Sequence, residues 1–118
     1  MNIQVKRVYD EPSPSDGERV LVDRVWPRGV RKADARLDQW LRDVAPSSDL
    51  RNWYGHDQSR WEEFKQRYFR ELDGKSELVD RLAQCAGERR VTLLFGAKDR
   101  EHNNAVALRD YLQGDGRR

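Results

Sequence analysis

The segment Asp23-Arg24-Val25-Trp26-Pro27-Arg28-Gly29 brings a carboxylate, two permanent cations and an indole close together. Asp23 is a candidate proton-transfer group, Arg24 and Arg28 can grip an oxyanion through charge-assisted hydrogen bonds, and Trp26 offers a flat face for stacking. Pro27 fixes the backbone and Gly29 bends it. The segment follows Val20-Leu21-Val22, an apolar run suited to a strand covered on both faces. Side chains this polar cannot all be buried, so they emerge where the strand leaves the core, which is where open α/β sheets bind ligands. A purely structural reading has Asp23 pairing with Arg24 or Arg28 to tie down a turn, with Trp26 in the core.

A second segment, Gly96 to Asn104, reads GAKDREHNN. It follows the apolar run Val91 to Phe95 and has the order strand, glycine turn, helix start that favours anions through free amides and the helix dipole. Lys98 adds a point charge and Asn103 a polar contact, while His102 can exchange protons near neutral pH. Asp99 works against this, because as the expected helix cap it would occupy those amides and repel a phosphate. The segment lacks the spacing of a P-loop or of a dinucleotide fingerprint. His56 and Asp57, exposed by the break at Gly55, form a secondary candidate pair that reads equally well as a turn and a cap.

Other chemistries find little footing. Two histidines and one cysteine at unrelated spacings suggest no metal site, and no cofactor is expected. Cys85, among Leu82, Ala83 and Ala86, reads as an inert core thiol, and no serine sits in a nucleophile elbow.

The elements that must position these groups follow from periodicity. A first strand is expected over residues 3 to 8, with an edge position as one reading of it, then a proline- and serine-rich loop from Glu11 to Gly17 containing a hairpin or one helical turn at Ser13 to Asp16. Leu37, Trp40, Leu41 and Val44 fall at helical spacing, with Asp34 as cap and Pro46 as stop. Ser47 or Ser48 caps a short helix carrying Leu50, Trp53 and Tyr54. The stripe Trp61, Phe64, Tyr68 and Leu72 marks a third helix, for which Ser59 with Glu62 or else Asp57 supplies the cap. Leu78, Val79, Leu82, Ala83 and Ala86 mark a fourth, closed by Gly87. Ala105, Leu108 and Leu112 face inward on a fifth. The expected fold is a single α/β domain over residues 1–118, with a small, mostly parallel or mixed sheet of about three or more strands flanked by about five helices. Its tail, residues 114–118, is expected to fray.

Length suits one domain with a small core, to which four Trp and four Tyr add bulk that the aliphatic residues do not supply. The 23 basic and 21 acidic side chains leave only +2, so no general field draws in nucleic acid. Arginine outnumbers lysine 18 to 5, a bias that serves anion recognition or reflects codon usage. No apolar run has the length of a membrane span or signal core, and the single cysteine suits a reducing compartment, so a cytoplasmic protein is expected.

Five stretches together carry a wider resemblance: VYD at Val8 to Asp10, LVDRVWPRG at Leu21 to Gly29, DQWLRDVAPSSDLRNWYGHD at Asp38 to Asp57, RWEEFKQRY at Arg60 to Tyr68, and LLFGAKDREHNNAVAL at Leu93 to Leu108. With them the chain resembles the YeaO-like branch of the family called domain of unknown function 488. That resemblance implies a single α/β domain and lends no substrate. Other branches carry a Gly-His-Ser element after the first strand and a cysteine- and histidine-bearing stretch after the last. Here Tyr9-Asp10 and the Phe95-Gly96 to His102-Asn104 region stand in those places, so no cysteine-dependent role is implied.

The leading expectation is a small anionic ligand, phosphate- or carboxylate-bearing, in a cleft at the strand ends lined by Arg24, Arg28, Lys98 and His102, with Asp23 or His102 moving a proton if the protein is an enzyme. The rival is a regulatory module that binds nucleic acid or protein through surface Arg and Trp, including Arg89-Arg90 and Arg117-Arg118. A scaffold acting through an oligomer interface is a third reading.

Overall fold

The computed structural model describes residues 1–115. Four strands, β1 (Ile3–Arg7), β2 (Glu18–Leu21), β3 (Gln39–Trp40) and β4 (Val91–Phe95), form one sheet in the order β1-β4-β2-β3, and every neighbouring pair is parallel. The helices are α1 (Lys32–Ala35), α2 (Ser48–Tyr54), α3 (Trp61–Asp73), α4 (Ser76–Glu88) and α5 (Asn104–Asp110). The expected α/β architecture is therefore present, with β1 at an edge. The expected tail at residues 114–118 falls partly outside the described residues; Tyr111–Asp115 forms a terminal π turn.

Alternation along the central strands sorts their side chains between two faces. Val20, Val22, Val91, Leu93 and Phe95 join the large core under α2 to α5, together with Phe64, Tyr68, Leu72, Val79, Leu82 and Leu108. Leu21 and Leu94 point to the other face, where Val8 and Ala35 complete a smaller cluster flanked by Trp26, Val30, Leu37 and Trp40. Because both faces of β2 and β4 are covered, their sequences read as continuous apolar runs. Each such fully buried side chain stabilises the fold by about 1.5–3 kcal/mol before the cost of ordering it.

The N-terminal ends of the strands are held by a buried ionic cluster. The Asp16 carboxylate accepts from Lys6 Nζ at 3.0 Å, Gln4 Nε2 at 3.1 Å and Arg19 Nη1. Arg19 also donates to the carbonyls of Ala35 and Arg36, while Thr92 Oγ1 donates to the Asp16 carbonyl. Every polar side-chain atom buried among the described residues has a partner.

The structure departs from the expected elements in specific places. β1 and β2 are both parallel to β4, so the loop between them is no hairpin; it carries one turn of 3-10 helix, Pro14–Asp16, capped by Ser13. The expected helix through Leu37 to Val44 is instead the edge strand β3 followed by a 3-10 turn at Arg42–Val44. Leu37 and Trp40 pack on one sheet face and Leu41 and Val44 on the other, so a shared helical spacing did not mean a shared environment. Asp34 lies inside α1, and α4 continues past Gly87 to Glu88. Asp57 rather than the Ser59 pair starts the turn into α3, accepting from Ser59 N at 3.0 Å. Among the described residues no helix is long and apolar enough to cross a membrane.

Candidate functional site

The turn leaving β2 and the turn leaving β4 meet. Asp23 Oδ2 accepts from Gly96 N at 2.9 Å and Oδ1 accepts from Asn104 Nδ2 at 3.0 Å, so one carboxylate joins both strand ends to the start of α5. The approach is close: a β-carbon on Gly96 would lie 3.1 Å from Asp23 Oδ2. Burial pushes the Asp23 carboxyl above the ordinary carboxylate range, while those two hydrogen bonds and the charge of Arg51 pull it partly back.

Beside this joint lies a hollow of about 600 Å³. Arg24, Trp26, Pro27 and Arg28 line it from the β2 turn, and Gly96, Ala97, His102, Asn103 and Asn104 from the β4 turn. Ala45, Pro46, Arg51, Asn52, Tyr54, Gly55 and His56 close it from around α2, with Phe64 of α3 behind. The sheet exposes these turns at its C-terminal edge, where α/β folds commonly hold ligands.

Its charge is one-sided. Arg24, Arg28 and Arg51 enter no ion pair among the described residues, and Asp23, the only acid on the wall, already has both oxygens hydrogen-bonded. Arg24 is fixed, donating from Nε to Pro46 O and from Nη2 to Ala45 O at 3.2 Å each. Arg28 and Arg51 are exposed and carry no hydrogen bond on their guanidiniums among the described residues. Trp26 donates to Val30 O at 2.8 Å and packs edge-on against Trp40 with centroids 5.3 Å apart, which fixes its ring.

The β4 turn is organised by Asp99. Its carboxylate accepts from Glu101 N at 2.9 Å, His102 N at 3.0 Å and Gln58 Nε2 at 2.8 Å, and the Glu101 amide foremost among these holds its pKa down at about 2. His102 Nδ1 lies 3.1 Å from Asp99 Oδ2. An ionised carboxylate only accepts, so the ring proton is assigned to Nδ1 and Nε2 is left uncommitted to Asp99. The ring also packs edge-on against Trp61, centroids 5.3 Å apart.

The expected site residues are thus divided. Asp23, Arg24, Trp26, Arg28, His102, Asn103 and the secondary candidate His56 border the hollow; Lys98, Asp57 and Asp99 do not. Lys98 is exposed, left outside as the turn curls around Asp99. The helix cap expected at Asp99 is instead Asn103, whose Oδ1 accepts from Val106 N at 2.9 Å and whose Nδ2 donates to Asp99 O at 2.9 Å. His102 accordingly precedes α5. Arg51 and Tyr54 are the additions that sequence reasoning missed, while Asn104, the last residue of the second segment, takes the specific role of holding Asp23. Arg51 lies three residues before the inward Tyr54, hence on the same side of α2, and that spacing was the available signal. His56 stands in the left-handed region at φ 59 directly after Gly55 at φ 54, so two residues of unusual conformation turn the chain at the rim.

Among the described residues no three His, Cys, Asp or Glu side chains are grouped to hold a metal. Cys85 lies away from the hollow near Glu18, and partial burial pushes its thiol pKa up.

Fold and site together define a small parallel α/β protein whose strand-end turns enclose an arginine-rimmed hollow. The chain belongs to the family described as "Inactive DUF488-N3 subclade", whose model matches residues 2–117. It is 42% identical over 113 residues to "Uncharacterized protein YeaO" of Escherichia coli K12, covering 96% of this chain and 98% of that protein. It is also 42% identical over 112 residues to "Uncharacterized protein Mb3100c" of Mycobacterium bovis and to "Uncharacterized protein Rv3073c" of Mycobacterium tuberculosis, in each case covering 95% of this chain and 94% of the relative. No solved structure matches the chain.

Proposed function

We propose that the protein binds a small phosphate- or carboxylate-bearing molecule in the hollow at the strand ends, and that it does so without turning it over. The observation that carries the reading is the unbalanced charge: among the described residues, three arginines without ion pairs surround a space whose single carboxylate is already hydrogen-bonded. An incoming anion would supply the missing counter-charge, with Arg28 and Arg51 free to close on it and Arg24 already aligned. Binding without turnover is supported by Asp23, whose two oxygens serve the joint, and agrees with the word "inactive" in the family's description.

A surface tracking nucleic acid has less support, because several of its arginines, the Arg89-Arg90 pair included, are already engaged. Arg60 pairs with Asp57, Arg67 with Glu63, and Arg89 with Glu18 and Glu88, while Arg90 donates to Asn2, Gln4 and the Ser15 carbonyl. Arg117 and Arg118 lie outside the described residues.

Calorimetric titration with inorganic phosphate, ribose 5-phosphate and succinate at low salt tests the reading. At least one should bind, and Arg28→Ala or Arg51→Ala should weaken it by about tenfold or more, the worth of a charged hydrogen bond. No anion binding, or binding indifferent to both substitutions, refutes it. Tight binding of mixed-sequence DNA with a steep salt slope would favour the rival instead.

A further inference from the structure

The hollow is too large and too apolar to be a site for a bare anion. At about 600 Å³ it lies in the range of sites for whole organic ligands. Its charged groups gather on Arg24, Arg28 and Arg51, whereas the half-buried Trp26 offers ring surface that no oxyanion would use, with Pro27, Tyr54 and Phe64 buried behind it. Two of these rings are held rigidly. Tyr54 stacks on Phe64 with centroids 4.5 Å apart and donates its hydroxyl to His102 O at 3.2 Å, and Trp26 is fixed between Val30 O and Trp40. His56 adds a third ring at the rim, its centroid 6.4 Å from that of Tyr54.

Resting on the anion-binding reading above, we infer that the ligand is a nucleoside 5′-monophosphate, its phosphate held by the arginines and its base lying on the aromatic wall. Rigid rings lose little freedom when a flat partner stacks on them, and base stacking on an aromatic side chain is worth on the order of tenfold in affinity. A sugar phosphate offers no such partner. An aliphatic dicarboxylate would leave the Trp26 face in contact with water.

The test compares adenosine 5′-monophosphate and uridine 5′-monophosphate with ribose 5-phosphate, inorganic phosphate and adenosine, by calorimetry on the intact protein. At least one nucleotide should bind ten times more tightly than ribose 5-phosphate, and His56→Gly, which suits the left-handed backbone there, should reduce that ratio. If ribose 5-phosphate binds within tenfold of both nucleotides, the nucleotide inference falls and the anion reading stands. If adenosine binds as tightly as the nucleotides and Arg51→Ala changes nothing, the anion reading falls with it. Absence of binding by all five compounds removes both.

Discussion

The amide of Gly96 donates to Asp23 Oδ2 at 2.9 Å, so the backbone leaving β4 is fixed by a side chain leaving β2. Asn104 holds the other oxygen, and the carboxylate has little room to retreat. A methyl group on Gly96 would stand 3.1 Å from Oδ2 and 3.4 Å from Pro27 Cβ. Gly96→Ala is therefore expected to lower the unfolding free energy by about 1–3 kcal/mol, the usual cost of overpacking. Urea denaturation measures it, and an unchanged midpoint would mean the joint is looser than drawn.

At the opposite end of the sheet the constraint is harder. Gly17 has φ 65, and a β-carbon there would lie 2.2 Å from Arg90 O, the carbonyl that accepts from Glu18 N at 2.9 Å as β2 begins to pair with β4. Gly17→Ala should destabilise by about 3 kcal/mol or more, combining left-handed strain with a displaced ladder. Gly29 at φ 79 has nothing within 4 Å of its missing β-carbon. Gly29→Ala should cost only the backbone strain, about 1–2 kcal/mol, and equal losses at the two sites would contradict the contact with Arg90.

Asp16 and Arg19 are both buried, at 1% and 5% relative exposure, and Asp16→Ala leaves the guanidinium without its carboxylate. The expected loss is about 3–5 kcal/mol, because an unpaired buried charge is costly even where the pair itself adds little. Thermal unfolding of Asp16→Ala against wild type gives the answer. A loss below 1 kcal/mol would mean that Lys6 and water compensate.

What the sequence made legible follows from which signals were local. Val20 to Val22 and Val91 to Phe95 are buried on both faces, so burial alone marks them as central strands. The stripe Trp61, Phe64, Tyr68 and Leu72 fixes α3 in the same way. β3 was hidden because it pairs through only Val20 with Gln39 and Leu21 with Trp40, and its apolar neighbours divide between the two faces at a spacing that imitates a helix. The meeting of the Asp23 and Gly96 turns depends on β2 lying beside β4, a long-range fact that no window of sequence contains. Arg51 escaped notice because its neighbours Leu50, Trp53 and Tyr54 explained the helix without it.

Asp99 makes stability depend on pH with a definite sign. Its carboxyl is held at about 2 in the fold, below the ordinary 3.8, foremost by the Glu101 amide and then by His102 N and Gln58. A depressed folded pKa contributes stability that is complete above the unfolded value and is lost as pH falls through the folded one. Asp99→Ala should cost about 1–3 kcal/mol at neutral pH, the worth of hydrogen bonds to an ionised group that holds this turn. Below pH 3.8 the gap between variant and wild type should narrow. Denaturant curves collected from pH 6 down to 2.5 test this, and a gap that stays constant would rule out an ionised Asp99 in the turn.

Arg51 and Asp23 are coupled without touching: they form no ion pair, yet the arginine's charge lowers a carboxyl that burial has raised. Because a raised folded pKa means the fold holds the proton more tightly than the unfolded chain, Asp23 favours folding at low pH and loses that contribution as pH rises through its folded value. Arg51→Ala removes the only cation that lowers it, so the Asp23 titration should move further up, and Arg51→Glu should move it further still. Overall stability at neutral pH should change little, within about 0.5 kcal/mol for the alanine variant, since Arg51 is exposed and its guanidinium makes no hydrogen bond among the described residues. Carbon-13 NMR of the Asp23 carboxyl reads the shift directly. An unmoved titration in both variants would mean that the field of Arg51 does not reach the joint, and would remove this residue from the group that gives the hollow its charge.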